Sequence, residues 1–282
     1  MKILIIVPVL NEYLHLSNFI NSINHQTYTS FELIAVDDGS IDNSQKALKE
    51  WSSKRNIHCI LEKEPSISTP GAKVIKTFYR GLISYHKKFD IICKFDADLI
   101  LPCNYLERIV TEFKSKKEIG MVSGHLYIKK KDTWIFENIS DKKSSRGPIK
   151  AYRTECFKQI GGLKASIGWD TIDEMLARFH GWEVVTIPEL HVKHLKPTGA
   201  AYNSRSKYLQ GEAFYKMRYG RILTFITAAK MAWNKKQFQL IADYLKGYHL
   251  AQKKNLAPLV TEEQGRFIRN YRWNGIKSKL GF

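Results

Sequence analysis

The run Ile3-Leu4-Ile5-Ile6-Val7 narrows the possible folds more than any other stretch. Five consecutive apolar, mostly β-branched residues form a strand buried on both faces, and such strands belong to parallel sheets covered by helices on either side. The following residues keep to that scheme. Leu16, Phe19, Ile20 and Ile23 recur at helical spacing between about Leu14 and Gln26. Phe31 to Val36 reads as a second strand, Asp42 to Trp51 as a helix, and His58 to Leu61 as a third strand. Val74 to His86 reads as a helix and Asp90 to Phe95 as a fourth strand. Strand and helix in alternation imply an α/β fold, here a mostly parallel sheet flanked by helices. Farther on, Met121-Val122-Ser123 and His125 to Ile128 are strand-like. Ile172 to His180 is expected to be helical and Glu183 to Ile187 a strand, and from about Ser206 the pattern is helical and basic. We therefore expect a core domain over residues 1–200 and a basic, aromatic-rich helical extension over 201–282.

In open α/β sheets, ligands bind beyond the carboxyl ends of the strands. Three polar clusters fall at those ends: Pro8 to Glu12, Asp37-Asp38-Gly39-Ser40, and Asp96-Ala97-Asp98. Asn11, Glu12, Asp37, Asp38, Asp96 and Asp98 are thus expected along one edge. Two carboxylates two residues apart, as in Asp96 and Asp98, suit a hard divalent cation that also holds substrate phosphates. An Asx turn closing the strand would use the same residues. The acids at 37 and 38 suit hydrogen bonds from a base or ribose, or equally a turn and helix cap with Gly39 at its tight point.

Taken in order, Ile6-Val7-Pro8-Val9-Leu10-Asn11-Glu12, Val36-Asp37-Asp38-Gly39-Ser40 with Asp42, and Phe95-Asp96-Ala97-Asp98 resemble the successive motifs of family 2 glycosyltransferases over roughly residues 1–200. That resemblance implies a GT-A fold and inverting sugar transfer from a nucleotide-sugar donor. Residue by residue, it implies that Pro8, Asn11 and Glu12 line the nucleotide pocket and that Asp38 meets the base. Asp96 and Asp98 form the DxD, with Asp98 nearer to a Mg²⁺ or Mn²⁺ ion, and His194 completes the metal shell. Gly71 and Lys73 stand where such proteins contact the donor, although Tyr79 replaces the Asn that often precedes the glycine at 81. The segment Gly161-Gly162-Leu163 and Gly168 to Glu174 resembles the part carrying the catalytic base. Inversion needs one carboxylate to accept the proton of the attacking hydroxyl. Asp173 is the first expectation, with Asp170 next and Glu174 third; N-capping and a capping box are competing roles for these acids. Lys150, Tyr152 and Arg153 are expected either near the donor phosphates or on a solvated strand edge. A UDP-sugar donor, a glycan or lipid-linked acceptor, and a place in cell-surface polysaccharide or lipopolysaccharide synthesis complete the expectation.

The net charge of +18 is uneven. From Lys196 onward there are 17 Lys/Arg against 4 Asp/Glu, a net of +13, leaving +5 for the first 195 residues. A basic tail on a nearly balanced domain calls for an acidic partner. Aromatics beside Lys and Arg over 266–282 suit contact with an anionic membrane, whereas 219–233 are expected to pack on the core. Nucleic acid is not expected, because the acidic strand ends would repel a polyanion and no zinc-finger, RRM or helix-turn-helix pattern is present. A nucleotidyltransferase of related fold is the alternative enzyme, but Pro8 to Glu12 lacks the glycine-rich basic loop such enzymes carry. Cys59, Cys93, Cys103 and Cys156 have no metal-ligand spacing and read as reduced, buried thiols. The apolar N-terminal run is too short for a signal peptide and no stretch reaches about 20 apolar residues. The expected location is cytoplasmic, with peripheral contact on the inner face of the cell membrane.

Overall fold

The computed structural model describes residues 1–54, 57–62, 71–138, 142, 144–196 and 207–279. The first half alternates as expected: β1 (Ile3–Val9), α1 (Tyr13–Asn24), β2 (Phe31–Asp37), α2 (Ser44–Lys54), β3 (His58–Leu61), α3 (Ala72–Ile83) and β4 (Ile91–Phe95). There follow β5 (Leu99–Ile100), α4 (Tyr105–Ser115), β6 (Ile119–Lys130), β7 (Thr133–Phe136), β8 (Ile149–Arg153), α5 (Thr154–Gln159), α6 (Trp169–Phe179) and β9 (Glu183–His194). Four helices close the chain: α7 (Leu209–Lys216), α8 (Arg221–Lys235), α9 (Gln239–Lys253) and α10 (Glu262–Lys279). The expected boundary at 200/201 lies outside the described residues.

The sheet runs β3-β2-β1-β4-β8-β6-β9-β5, with β7 paired to β6. Its first four strands are parallel. Beyond β4 the sheet is mixed: β8 is antiparallel to both β4 and β6, β9 is parallel to β6, and β5 is antiparallel to β9. Apolar residues alternate across the sheet, as the two-residue period of a strand requires. Ile3, Ile5, Val7 and Val9 of β1 join one core with α1 and α4, whereas Leu4 and Ile6 join a second core with α3 and α6. Phe214, Leu223, Tyr244 and Ile268 from the C-terminal helices belong to that second core, so these helices are packed against the sheet domain.

Two glycines let α7 and α9 meet backbone to backbone. A Cβ added at Gly211 would sit 1.9 Å from the Tyr244 carbonyl oxygen, and one at Gly247 would sit 2.0 Å from that of Tyr208. The expected inward packing of 219–233 is half fulfilled: Leu223, Thr224, Ala228 and Ala232 are buried, but Ile222, Phe225 and Trp233 face solvent. Over 266–279, where membrane contact is expected, part of the segment packs inward. Ile268 is buried, Phe267 and Ile276 pack on the core, and Arg272 donates to the Tyr219 hydroxyl at 3.2 Å. No described helix is long and apolar enough to cross a membrane. All four thiols are free, but only Cys93 and Cys156 are buried; Cys59 is half-buried and Cys103 is exposed, having left the hydrophobic pattern at the end of β5.

Candidate active site

Beyond the carboxyl ends of β1, β2 and β4 lies a cavity of about 340 Å³. It brings together Pro8, Glu12, Asp38, Gly71, Lys73, Asp96 and Asp98, seven of the residues expected in the nucleotide and metal sites. A wider hollow of about 740 Å³ between α1 and α2 has Glu50 as its single acidic or basic lining residue among the described residues.

The two adjacent acids after β2 divide their work. Asp37 Oδ1 accepts from the backbone N–H of Gly39 (3.0 Å) and Ser40 (2.9 Å) and from Gln45 Nε2 (2.8 Å), so it builds the turn. Asp38 faces the cavity and is held by Arg80 at 2.7 Å and Lys73 at 3.3 Å. Asn11 does not line the cavity. In a left-handed conformation (φ 54°), its Oδ1 accepts from Ile41 N–H at 2.9 Å and its own N–H donates to Ser40 Oγ at 2.8 Å. Asn11 therefore ties the β1 loop to the β2 loop, an Asn being among the few residues that tolerate this backbone region. The same loop caps α1: Ser44 Oγ and Asp42 Oδ2 accept from the N–H groups of Glu12 and Tyr13.

Gly71 opens α3 at φ 76°, and an added Cβ would lie 2.6 Å from the Ile167 Cα. The α3 N-terminus is thereby pressed onto the loop that leads into α6. Tyr79 donates its hydroxyl to the Leu163 carbonyl at 3.1 Å and braces the same loop rather than a donor.

Glu12, Asp96 and Asp98 share one electrostatic field. Burial raises the Glu12 pKa, Lys196 at 2.6 Å opposes the rise, and the charges of Asp98 and Asp96 add to it. Among the described residues Asp98 Oδ1 is buried without a hydrogen-bond partner, and Asp98 Oδ2 lies 3.6 Å from His194 Nε2. His194 Nδ1 lies 3.3 Å from Glu137 Oε2, and Glu137 also pairs with Arg146 at 3.2 Å. Burial alone would lower the His194 pKa, but the two carboxylates outweigh it and raise it to about 9. An orphaned carboxylate oxygen beside a histidine, with a second carboxylate at Asp96, fits a hard cation that takes its remaining ligands from a diphosphate. Among the described residues, no three acidic, histidine or cysteine side chains form a closed metal cluster.

The expected bases occupy different environments. Helix α6 begins after Gly168, which takes the left-handed cap conformation, so neither Asp170 nor Asp173 caps it. Asp173 shares the inward stripe with Trp169, Ile172 and Leu176 and is buried. Its carboxylate accepts from Lys150 Nζ at 2.6 Å, from the Tyr152 hydroxyl and from Glu174 N–H at 2.6 Å. Burial raises its pKa to about 6, with Lys150 acting in the opposite direction. Asp173, the first expectation for the base, is thus a buried carboxylate engaged by three donors. Glu174 is buried and paired to Arg178 at 3.0 Å. Asp170 is half-buried, and its Oδ2 lies 3.3 Å from a Cβ placed on Gly147.

The expectations for Lys150, Tyr152 and Arg153 are corrected. They lie on β8, inside the sheet. Lys150 and Tyr152 are fully buried, and Arg153 donates to the carbonyls of Ile119, Phe113 and Lys116. Sequence reasoning also passed over Lys94, Glu137 and Lys196. Lys94, buried on β4, pairs with Asp96 and donates to the Gly147 carbonyl at 3.3 Å. Lys94 and Lys150 are directly opposed across β4 and β8, and their ammonium groups lie 5.2 and 5.5 Å from the centre of the Trp169 ring. The path Asp96, Lys94, Gly147, Asp170 therefore joins the DxD to the start of α6 by direct neighbours. A lysine within an otherwise apolar strand was the signal: burying it demands a partner.

Comparison with known proteins agrees with this geometry. Residues 4–72 match the model of the family described as glycosyl transferase family 2. The dolichol-phosphate mannosyltransferase of Pyrococcus furiosus is 27% identical over 155 residues, covering 54% of this chain and 41% of that protein. The chain spans only 41–50% of the length of the curated relatives it matches. Among solved structures, S. aureus TarS 1-349 in complex with UDP-GlcNAc superposes with a TM-score of 0.60 at 17% identity, covering 95% of this chain and 78% of that one. The mannosyltransferase PcManGT from Pyrobaculum calidifontis, in complex with GDP-Man and Mn²⁺, gives 0.58 at 13% identity, covering 98% and 80%. At such identities the structural likeness speaks for the fold alone. The three motifs in order and the match over residues 4–72 make this chain similar to glycosyltransferase family 2, and the superpositions show that it has a GT-A-type fold.

Proposed function

We propose that the protein transfers a sugar from a nucleotide-sugar donor to an acceptor hydroxyl, with inversion at the anomeric carbon and with a divalent metal. The observation that carries this reading is the cavity gathering Asp38, Asp96 and Asp98 beyond the strand ends. Asp38, already held by Arg80 and Lys73, is placed to accept hydrogen bonds from the nucleoside. Asp96, Asp98 and His194 would hold Mg²⁺ or Mn²⁺; when bound, such an ion neutralises charge growing on the departing diphosphate. Lys73 adds a cation on the same wall. Asp170 is the base in this reading, because Asp173 is sealed and Asp170 stands at the end of the path from the DxD. It would take the proton of the acceptor hydroxyl as that oxygen attacks. The donor is a UDP-sugar and the acceptor a glycan or lipid-linked sugar of a cell-surface polysaccharide or lipopolysaccharide pathway. Peripheral contact with an anionic membrane belongs to the same reading; the UDP-GlcNAc, GDP-Man and Mn²⁺ in the complexes of TarS and PcManGT support donor and metal in general.

A thermal-shift series with UDP, GDP, CMP and their sugars, with and without Mn²⁺ or Mg²⁺, tests this. A ligand at 100 times its Kd stabilises the native state by about 2.7 kcal/mol. One nucleotide class should raise the melting temperature in a metal-dependent way, and Asp98→Ala should remove the metal dependence. No shift with any of them would overturn the transferase reading.

A further inference from the structure

Helix α8 is apolar on two sides, and among the described residues the chain covers only one of them. Leu223, Thr224, Ala228 and Ala232 form its buried stripe. Ile222, Phe225, Ile226, Ala229 and Trp233 fall at i, i+3, i+4, i+7 and i+11, a second continuous stripe. Ile222 is 70% exposed, Phe225 52% and Trp233 72%. Phe238, 63% exposed, extends this face by stacking edge-on against Trp233 with ring centroids 6.3 Å apart. Contiguous exposed apolar surface of this kind marks a place of contact.

The surroundings identify the partner. Residues 213–242 contain six Lys/Arg and no Asp or Glu. Arg221, Lys230, Lys235 and Lys236 are carried on α8 itself or at its C-terminal cap, and all are exposed. A second copy of this chain would bring two such basic rims together within a +18 protein, which repulsion disfavours. A polynucleotide would satisfy the charge but would not reward insertion of four large apolar side chains. An anionic bilayer supplies both, an apolar layer beneath negatively charged headgroups. We propose that this face of α8, with Phe238, is the surface by which the protein lies on an anionic membrane. The proposal rests on the peripheral-membrane part of the function above but not on catalysis, so it is tested without donor or acceptor.

The test is flotation of the full chain with phosphatidylcholine vesicles, with and without phosphatidylglycerol, at two salt concentrations. Wild type should bind only the vesicles containing phosphatidylglycerol, and more weakly at high salt. Phe225→Ser with Trp233→Ser, and separately Lys235→Glu with Lys236→Glu, should each weaken binding at least about tenfold. Because all four residues are exposed, the melting temperature should stay unchanged. Tyr271→Ser, on α10, should bind as wild type. Equal binding to neutral vesicles, or binding by either α8 variant at wild-type strength, would overturn the proposal. So would loss of binding with Tyr271→Ser alone, or a wild-type dimer in sedimentation that the Phe225/Trp233 variant dissolves.

Discussion

Replacing Asp173 with Asn separates a structural carboxylate from a catalytic one. The Asp173 and Lys150 side chains are 1% and 0% exposed and lie 2.6 Å apart. Removing one partner of such a pair leaves the other charge buried, at a cost of about 3–5 kcal/mol. Lys150 would keep only the Asp170 carbonyl oxygen as acceptor. Asparagine retains an oxygen for the Tyr152 hydroxyl, so the lower end of that range is expected. At about 2–4 °C per kcal/mol for domains somewhat smaller than this one, the melting temperature should fall by roughly 6–12 °C. The triple variant Lys150→Met, Tyr152→Phe, Asp173→Leu removes every member of the group and should recover most of the loss, since apolar replacement of a whole buried ion pair is often neutral. Asp170→Asn, by contrast, should melt within about 0.5 °C to 2 °C of wild type and lower the transfer rate by about 100-fold or more at unchanged donor affinity. Calorimetry and a transfer assay on the same preparations decide the matter. Asp173→Asn with wild-type stability and no transfer would refute the structural role and return the base to Asp173.

Three further outcomes are expected. With metal chelated, stability should decline as pH rises from 6.5 to about 9, because folded His194 holds its proton more tightly than the unfolded chain does. The loss is on the order of 3 kcal/mol, and a flat urea midpoint across that window would exclude the pairing with Asp98 and Glu137. Burial pushes the Cys93 thiol far up and that of Cys156 to about 12, so at pH 8 neither forms appreciable thiolate. A disulfide reagent should find Cys103 fast and Cys59 slowly, and Cys103→Ser should abolish the fast phase. Gly211→Ala places a methyl 1.9 Å from a backbone oxygen and should cost more than about 1–3 kcal/mol, the usual range for overpacking; a melting temperature like that of wild type would mean α7 and α9 can part freely.

The strand ends were legible because their signals are local. An apolar run of four to seven residues stopped by Asp, Asn or Ser needs no distant partner to be read, and β1, β2 and β4 lie within two residues of expectation. Strand β8 was not legible in that way. Ile-Lys-Ala-Tyr-Arg looks solvated until Asp173, 23 residues on, comes to meet Lys150. Whether Asp173 would be buried depended on where α6 begins. With its start at Trp169, the stripe Trp169, Ile172, Asp173, Leu176 points inward, and an acid on an apolar stripe is a buried acid. The mixed half of the sheet was hidden for another reason: strand direction there is set by pairing across the sheet, and periodicity carries no record of it.

The indole of Trp169, with one ammonium from each of two neighbouring strands against it, ties this part of the molecule to strand register. Lys94 and Lys150 are opposed because β4 and β8 pair in a particular register, and a slip of one residue would turn both to the other face. The spacing between Asp96, just beyond β4, and Asp170, at the head of α6, therefore depends on that ladder as well as on the loops that carry Gly147 and Gly168. A substitution that disturbed the pairing of β4 with β8 would thus move Asp96 against Asp170 even where both acids were kept.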